Sequence, residues 1–139
     1  MVRTFALIFG IIYVLVGILG FIPGLSTHPP DAPHLSVESG HGYLLGLFPI
    51  NILHNIVHLL IGLAGVLASR SLSGARLYAK ILAIAYGLLA ILGLIPATQT
   101  TFGLIPIHGN DVWLHALSAL VAAYFGFVAK DSGEPAAAD

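Results

Sequence analysis

The sequence predicts an all-α protein: an integral membrane four-helix bundle made of two parallel repeats of a helical hairpin, with both termini on the cytoplasmic side. Three observations predict it. Four long apolar stretches run through a chain of 139 residues. In the arrangement those stretches impose, all five Lys and Arg fall at one end and all seven His fall toward the other. The first half of the chain also recurs, in the same order, in the second.

Composition sets the class. The chain is 58% hydrophobic and 8% charged, with a mean hydropathy of +0.97. A soluble domain carries roughly a quarter charged residues, and a core of this size could not hide so much apolar surface. A bilayer removes the difficulty, because apolar side chains can face lipid. The net charge of −1 gives nucleic acid no electrostatic footprint to bind. With no cysteine, disulfides, Cys-ligated zinc and iron–sulfur clusters are excluded.

The elements follow in order. The first helix is expected over Thr4–Ile22 and stops at Pro23-Gly24. Its start, Met1-Val2-Arg3, resembles a signal peptide. The apolar run is long for one and no small-x-small cleavage site follows, so it reads as an anchor that is retained. The second helix is expected over 49–69, with Pro49 in its first turn, where a missing N–H costs nothing. The third is expected over 77–95, ending at Pro96, and the fourth over 111–129, with Asn110 as its N-cap. Each approaches the ~20 residues that a transmembrane helix needs. Together they make one transmembrane domain, 1–130, followed by a disordered cytoplasmic tail, 131–139.

Arg3, Arg70, Arg76, Lys80 and Lys130 flank the first helix start, the connection between helices two and three, and the fourth helix end. By the positive-inside rule those parts are cytoplasmic, as in a bacterial inner membrane protein. Lys80 lies a turn inside its span, from where its stem can reach the interface. Tyr43, Tyr78 and Trp113 fall near the expected interfaces. The first outer loop holds Pro29, Pro30 and Pro33 and cannot be one regular helix; the second is expected to be short.

The repeat is direct. Tyr13–Pro23 (YVLVGILGFIP) recurs as Tyr86–Pro96 (YGLLAILGLIP) at an offset of 73, and Gly46–His58 (GLFPINILHNIVH) recurs as Gly103–His115 (GLIPIHGNDVWLH) at an offset of 57. The two offsets differ by the extra length of the first outer loop. A parallel repeat implies a pseudo-two-fold axis along the membrane normal.

Helical periodicity gathers the polar residues. At 100° per residue, Asn51, His54, Asn55 and His58 share one arc of the second helix, continued by Gly62 and Gly65. His108, Asp111, His115, Ala119 and Ala122 line the matching arc of the fourth. Small residues let helices approach, so the polar residues are expected to face the bundle interior. Tyr13 and Tyr86 are repeat partners at similar depth, about nine residues from the outer helix end, or roughly 13 Å. Their hydroxyls are expected to reach the His cluster.

These motifs resemble a known family. N-x-x-H-N-x-x-H (Asn51, His54, Asn55, His58) followed by N-D-x-W-L-H (Asn110, Asp111, Trp113, Leu114, His115) is similar to the bacterial small membrane proteins catalogued as domain of unknown function 4383. The resemblance covers roughly residues 4–129. It implies a four-span fold and no firm activity.

Several roles fit the cluster. Buried His, Asn, Asp and Tyr can tie helices together, at about 0.6–2 kcal/mol per hydrogen bond in membranes; an Asp111–His54 pair would satisfy both groups. His54, His58, Asp111 and His115, paired at i, i+4 on two helices, could instead ligate zinc or copper. Asn51, Asn55, Tyr13, Tyr86 and His108 would then form the surrounding shell. His58 and His115 alone could serve as axial ligands to haem, and a single His could hold a chlorophyll magnesium. A through-channel is disfavoured, because the stripe becomes Gly and Ala toward the cytoplasm. His28, His34 and His41, with Asp31 and Glu38, are outer-loop residues read as solvated.

No nucleophile–base spacing, phosphate loop or dinucleotide fingerprint is present, so the expected protein is not an enzyme. The favoured reading is a structural or accessory subunit of a larger membrane complex; a homodimer is equally compatible with the repeat. The alternative is a cofactor-binding protein with its site at His54, His58, Asp111 and His115.

Overall fold

The computed structural model describes residues 1–29 and 32–130. The expectations for Pro30, for Asp31 and for the 131–139 tail lie outside the described residues. Four helices dominate: α1 (Val2–Leu19), α2 (Ile52–Ala68), α3 (Leu72–Leu94) and α4 (Asn110–Ala123), the last prolonged by a π-helical turn over Tyr124–Val128. α1, α3 and α4 with its π-turn are long and apolar enough to cross a bilayer. α2 is apolar but has 17 residues, about 25 Å of helix.

The fold is mostly helical, as expected, with one addition. The connection between α1 and α2 folds into a small antiparallel sheet: β1 (Ser26–Thr27), β2 (Gly42–Leu44) and β3 (Phe48–Ile50), in that order. Ser26 pairs with Leu44, and Tyr43 pairs with both Thr27 and Pro49. The β2–β3 turn passes through Leu45 and Gly46, both at positive φ. Pro49 therefore lies in a strand and not in the first turn of α2. That helix starts three residues later than expected, where the Asn51 side chain accepts a hydrogen bond from the His54 N–H.

Other boundaries shift for similar local reasons. α1 ends at Leu19, and Pro23–Leu25 form a separate 3₁₀ turn. α3 begins at Leu72, five residues early, because the Ser71 hydroxyl caps it by accepting from the Gly74 N–H. Asn110 is not the N-cap of α4. Gly109 holds that position at φ 63°, and the Asn110 side chain donates to the Leu47 carbonyl at 3.1 Å. The connection between α3 and α4, 96–109, is a series of turns with Thr101, Phe102 and Gly103 all at positive φ.

Packing joins the helices as two hairpins, α1 on α2 and α3 on α4. The first hairpin has backbone touching backbone: a Cβ on Gly10 would lie 2.6 Å from Val66 N, and one on Gly62 would lie 2.5 Å from Val14 N. The second hairpin closes on Ala79, Ala83 and Ala122, with Gly126 against the Lys80 backbone. Between the hairpins α1 meets α3 where the Tyr13 and Tyr86 rings lie 5.5 Å apart, edge to face. Phe5 stacks on Phe125 at 4.6 Å. Tyr78 is buried among these residues with its ring over Gly65.

Basic side chains close the helix ends at the terminus-bearing side. Arg3 Nε donates to the Ser69 carbonyl at 2.8 Å, at the C-cap of α2, and Arg76 donates to the Ala129 carbonyl at 3.0 Å, beyond α4. These are carbonyls that a helix end leaves without intrahelical donors. Lys80 is half-buried with its ammonium 5.5 Å from the Phe127 ring centre. The outward faces carry Leu60, Ile84, Leu94, Leu117 and Leu120, all exposed. Apolar residues outside and polar residues inside are the pattern a lipid solvent imposes.

Candidate metal centre between two helices

α2 and α4 present their polar arcs to each other. Asn51, His54, Asn55, His58, Asp111 and His115 are all at least nine-tenths buried. Burying this many polar groups demands partners for them, and the partners define the site.

His54 comes first because its tautomer can be read. Its Nδ1 lies 3.0 Å from the Pro49 carbonyl oxygen. A carbonyl only accepts, so Nδ1 carries the hydrogen and donates, and in the neutral ring Nε2 is a bare lone pair. That Nε2 lies 3.6 Å from Asp111 Oδ2. The distance is beyond a hydrogen bond, and Oδ2 is buried with no hydrogen-bond partner. His115 Nδ1 is likewise buried without one. Ligand atoms of His54, Asp111 and His115 all lie within 4.8 Å of one another. A tetrahedral ion with bonds of about 2.0–2.2 Å to nitrogen and oxygen sets its ligand atoms about 3.4 Å apart. The His54–Asp111 separation is close to that.

His58 is placed differently. Its Nδ1 donates to the His54 carbonyl at 3.0 Å, as a residue one turn along the helix can. Its ring stacks on Tyr13 at 5.3 Å and lies 4.6 Å from the His54 ring, outside the mutually close set. Tyr86 packs edge-on against His115 at 4.9 Å. The two tyrosines thus meet the cluster through their rings, while the polar neighbours of the Tyr13 hydroxyl are Ser118 and Tyr86.

The expected surrounding residues divide. Asn51 is fully buried and supports His54 by capping its helix; its amide also donates to the Val37 carbonyl at 3.0 Å and the Leu104 carbonyl at 2.6 Å. Asn55 points away, over Gly20, at the floor of an outward cavity of about 280 Å³ shared with His41. His108 is half-buried near Tyr43, with ring centres 6.1 Å apart, and is not brought to the cluster. Burial, and then neighbouring His41, hold its pKa below the ordinary 6.5.

The connection between α1 and α2 has its own network. His41 donates from Nδ1 to Glu38 at 3.1 Å, His28 donates to the His41 carbonyl at 2.7 Å, and exposed His34 sits 3.8 Å from Glu38. The Leu35 N–H, then His41, hold the Glu38 carboxyl below its ordinary 4.5. Among the described residues this group does not form a set of three close ligand atoms.

A family model described as domain of unknown function (DUF4383) matches residues 3–128, which hold all four helices and every residue of the cluster. The chain belongs to this family. No curated protein and no solved structure matches it. Membership in DUF4383 supplies no activity, so the chemistry of this member has to be argued from its side chains.

Two participants were not singled out by sequence reasoning. Ser118 is buried beside Tyr13, three residues after His115 on the same arc of α4; the helical period that found His115 would have found it. Pro49 orients His54 through a carbonyl, and backbone groups leave no mark in a sequence pattern.

Proposed function

We propose that this DUF4383 protein is a non-catalytic polytopic membrane protein that holds one divalent transition-metal ion, of the zinc class, between His54, Asp111 and His115. The observation that carries the reading is the His54–Asp111 pair. Two potential ligand atoms face each other at 3.6 Å without a hydrogen bond between them, with an unpartnered His115 nitrogen beside them. A cation satisfies all three at once and neutralises the carboxylate, where low dielectric makes isolated charge costly. Two imidazoles and a carboxylate suit zinc; the nitrogen donors also admit copper. Asn51 and Pro49 hold His54 in place. Tyrosine rings cover His58 and His115, which favours a compact ion over a haem or chlorophyll macrocycle.

The ion would link α2 to α4 and so join the two hairpins. We read these hairpins as the two halves of the direct repeat, with both termini cytoplasmic. Three correspondences support the repeat. Arg3 and Arg76, 73 apart, each bind a carbonyl at the end of the following helix. Leu45-Gly46 and Phe102-Gly103, 57 apart, are both left-handed. Tyr13–His58 and Tyr86–His115 are equivalent ring pairs.

The test is elemental analysis of the full chain purified in mild detergent without added metal or chelator. Near-stoichiometric zinc or copper, lost in Asp111→Asn and His115→Gln but kept in His58→Gln, is expected. No element above background in the parent protein overturns the metal reading and leaves the cluster as polar contacts between helices.

A second reading, an accessory subunit of a larger assembly, is favoured by the loop tips. Leu45, Leu47, Phe102 and Leu104 occupy repeat-equivalent positions and are all at least half exposed. Large apolar side chains paired in this way suit a partner protein or a second copy. If they bind one, Phe102→Glu lowers the native mass of the mildly extracted particle; an unchanged mass removes that support.

A further inference from the structure

We infer that the cleft between α1 and α4 is a binding site for a long-chain amphiphile with a neutral hydroxyl head, entered sideways from the bilayer. The inference goes beyond the metal reading and does not need it. Close packing pairs α1 with α2 and α3 with α4, which leaves α1 and α4 apart. Two cavities fill the gap. One, of about 330 Å³, is walled by Phe9, Ile12, Val16, Leu117 and Val121. The other, of about 190 Å³, is walled by Leu19, Leu44, Phe48 and Ile50 and reaches His54 and Asp111. Val16, His58 and Leu114 line both, so the two are neighbours on either side of these residues.

The walls are apolar, and the polar residues among them are few: His58, Tyr13 and Ser118 in the larger cavity, His58, Asp111 and His54 in the smaller. A site with apolar walls and a few convergent polar groups selects an apolar body with one polar point. The point has a definite sense. His58 Nδ1 is committed to the His54 carbonyl, so its Nε2 is an acceptor and calls for a donor. A hydroxyl supplies one. A quinone or an ester offers only acceptors, and a charged head group would bear the cost of entering the apolar interior. The larger cavity has room for an extended chain.

The test uses the full chain in lipid nanodiscs and, as probe, a long-chain fatty alcohol carrying a mid-chain diazirine. Saturable photolabelling is expected at Ile12, Val16, Leu117 and Val121, located by mass spectrometry. Unlabelled alcohol should compete about fivefold better than its methyl ether, the scale of one neutral hydrogen bond. Leu117→Trp, a change at an exposed position lining the cleft, should abolish saturable labelling. His58→Phe should erase the difference between alcohol and ether. Unsaturable labelling spread over the lipid-facing residues Ile84, Leu88 and Ile91, or equal competition by alcohol and ether on the parent protein, overturns the proposal. Leu117→Trp reports on the cleft even if His58→Phe fails to fold, and metal content plays no part in either readout.

Discussion

His54 Nε2 and Asp111 Oδ2 face each other at 3.6 Å between α2 and α4, the first a lone pair in the neutral ring and the second buried without a hydrogen-bond partner. Asp111→Asn keeps the shape of the side chain and removes its charge. If an ion bridges the pair, the change should weaken metal retention by at least the tenfold to hundredfold, roughly, that is typical of losing a supporting residue. A chelator should then lower the thermal midpoint of the parent protein and leave that of Asp111→Asn unmoved, because only the parent has bound ligand to lose. Equal midpoints with and without chelator in the parent would count against the ion.

Asn51 should be the most sensitive polar position outside the cluster. It caps α2 and donates to two carbonyls from separate loops, Val37 and Leu104. Asn51→Ala forfeits a cap worth about 1 kcal/mol and leaves buried carbonyls unpaired, for a total of about 2–4 kcal/mol. Asn51→Ser should recover only the cap. Asn110, which makes one exposed bond to the Leu47 carbonyl, should cost less than about 1 kcal/mol as Ala. Thermal unfolding in one detergent ranks the three.

The sequence made the helices and the polar arcs legible because both obey the 3.6-residue period, and burial follows that period at Asn51, His54, Asn55 and His58. What the period could not separate was the role of each residue within an arc. His54 and His58 share a face, yet Pro49 turns one toward Asp111 while Tyr13 stacks on the other. Asn51 belongs to the same stripe but works as a clasp, because its partner Leu104 is 53 residues away. The start of α2 was misplaced for a related reason: Pro49 suits a helical first turn and an edge position of a short sheet equally well. Only its pairing with Tyr43 decides between them.

Glycine substitutions should separate close helix contacts from open turns. A Cβ on Gly62 would sit 2.5 Å from Val14 N and 2.7 Å from the Gly10 carbonyl oxygen, while one on Gly24 would meet nothing within 4 Å. Backbone cannot move aside as a flexible side chain can. Gly62→Ala should therefore force α1 from α2, destabilising by several kcal/mol on the scale of overpacked cores or worse. Gly24→Ala should fall within about 0.5 kcal/mol of the parent. Folded yield on size exclusion and the thermal midpoint report both.

The outer loop should loosen in acid in two stages. His108 has a folded pKa below the ordinary 6.5, owing to burial and then to His41, so folding favours its neutral form. That contribution is fully present above pH 6.5 and is lost as pH falls through the lower folded value. Glu38 has a folded pKa below 4.5, owing to the Leu35 N–H and then to His41. Its contribution is present above 4.5 and is lost as pH falls further. Both act in the same direction, so amide exchange at Ser36, whose N–H donates to the Gly103 carbonyl at 2.8 Å, should quicken below pH 6.5 and again below 4.5 once corrected for intrinsic rates. His108→Asn should remove the upper stage and keep the lower one. If His108→Asn leaves the upper stage in place, the acid response does not arise at His108.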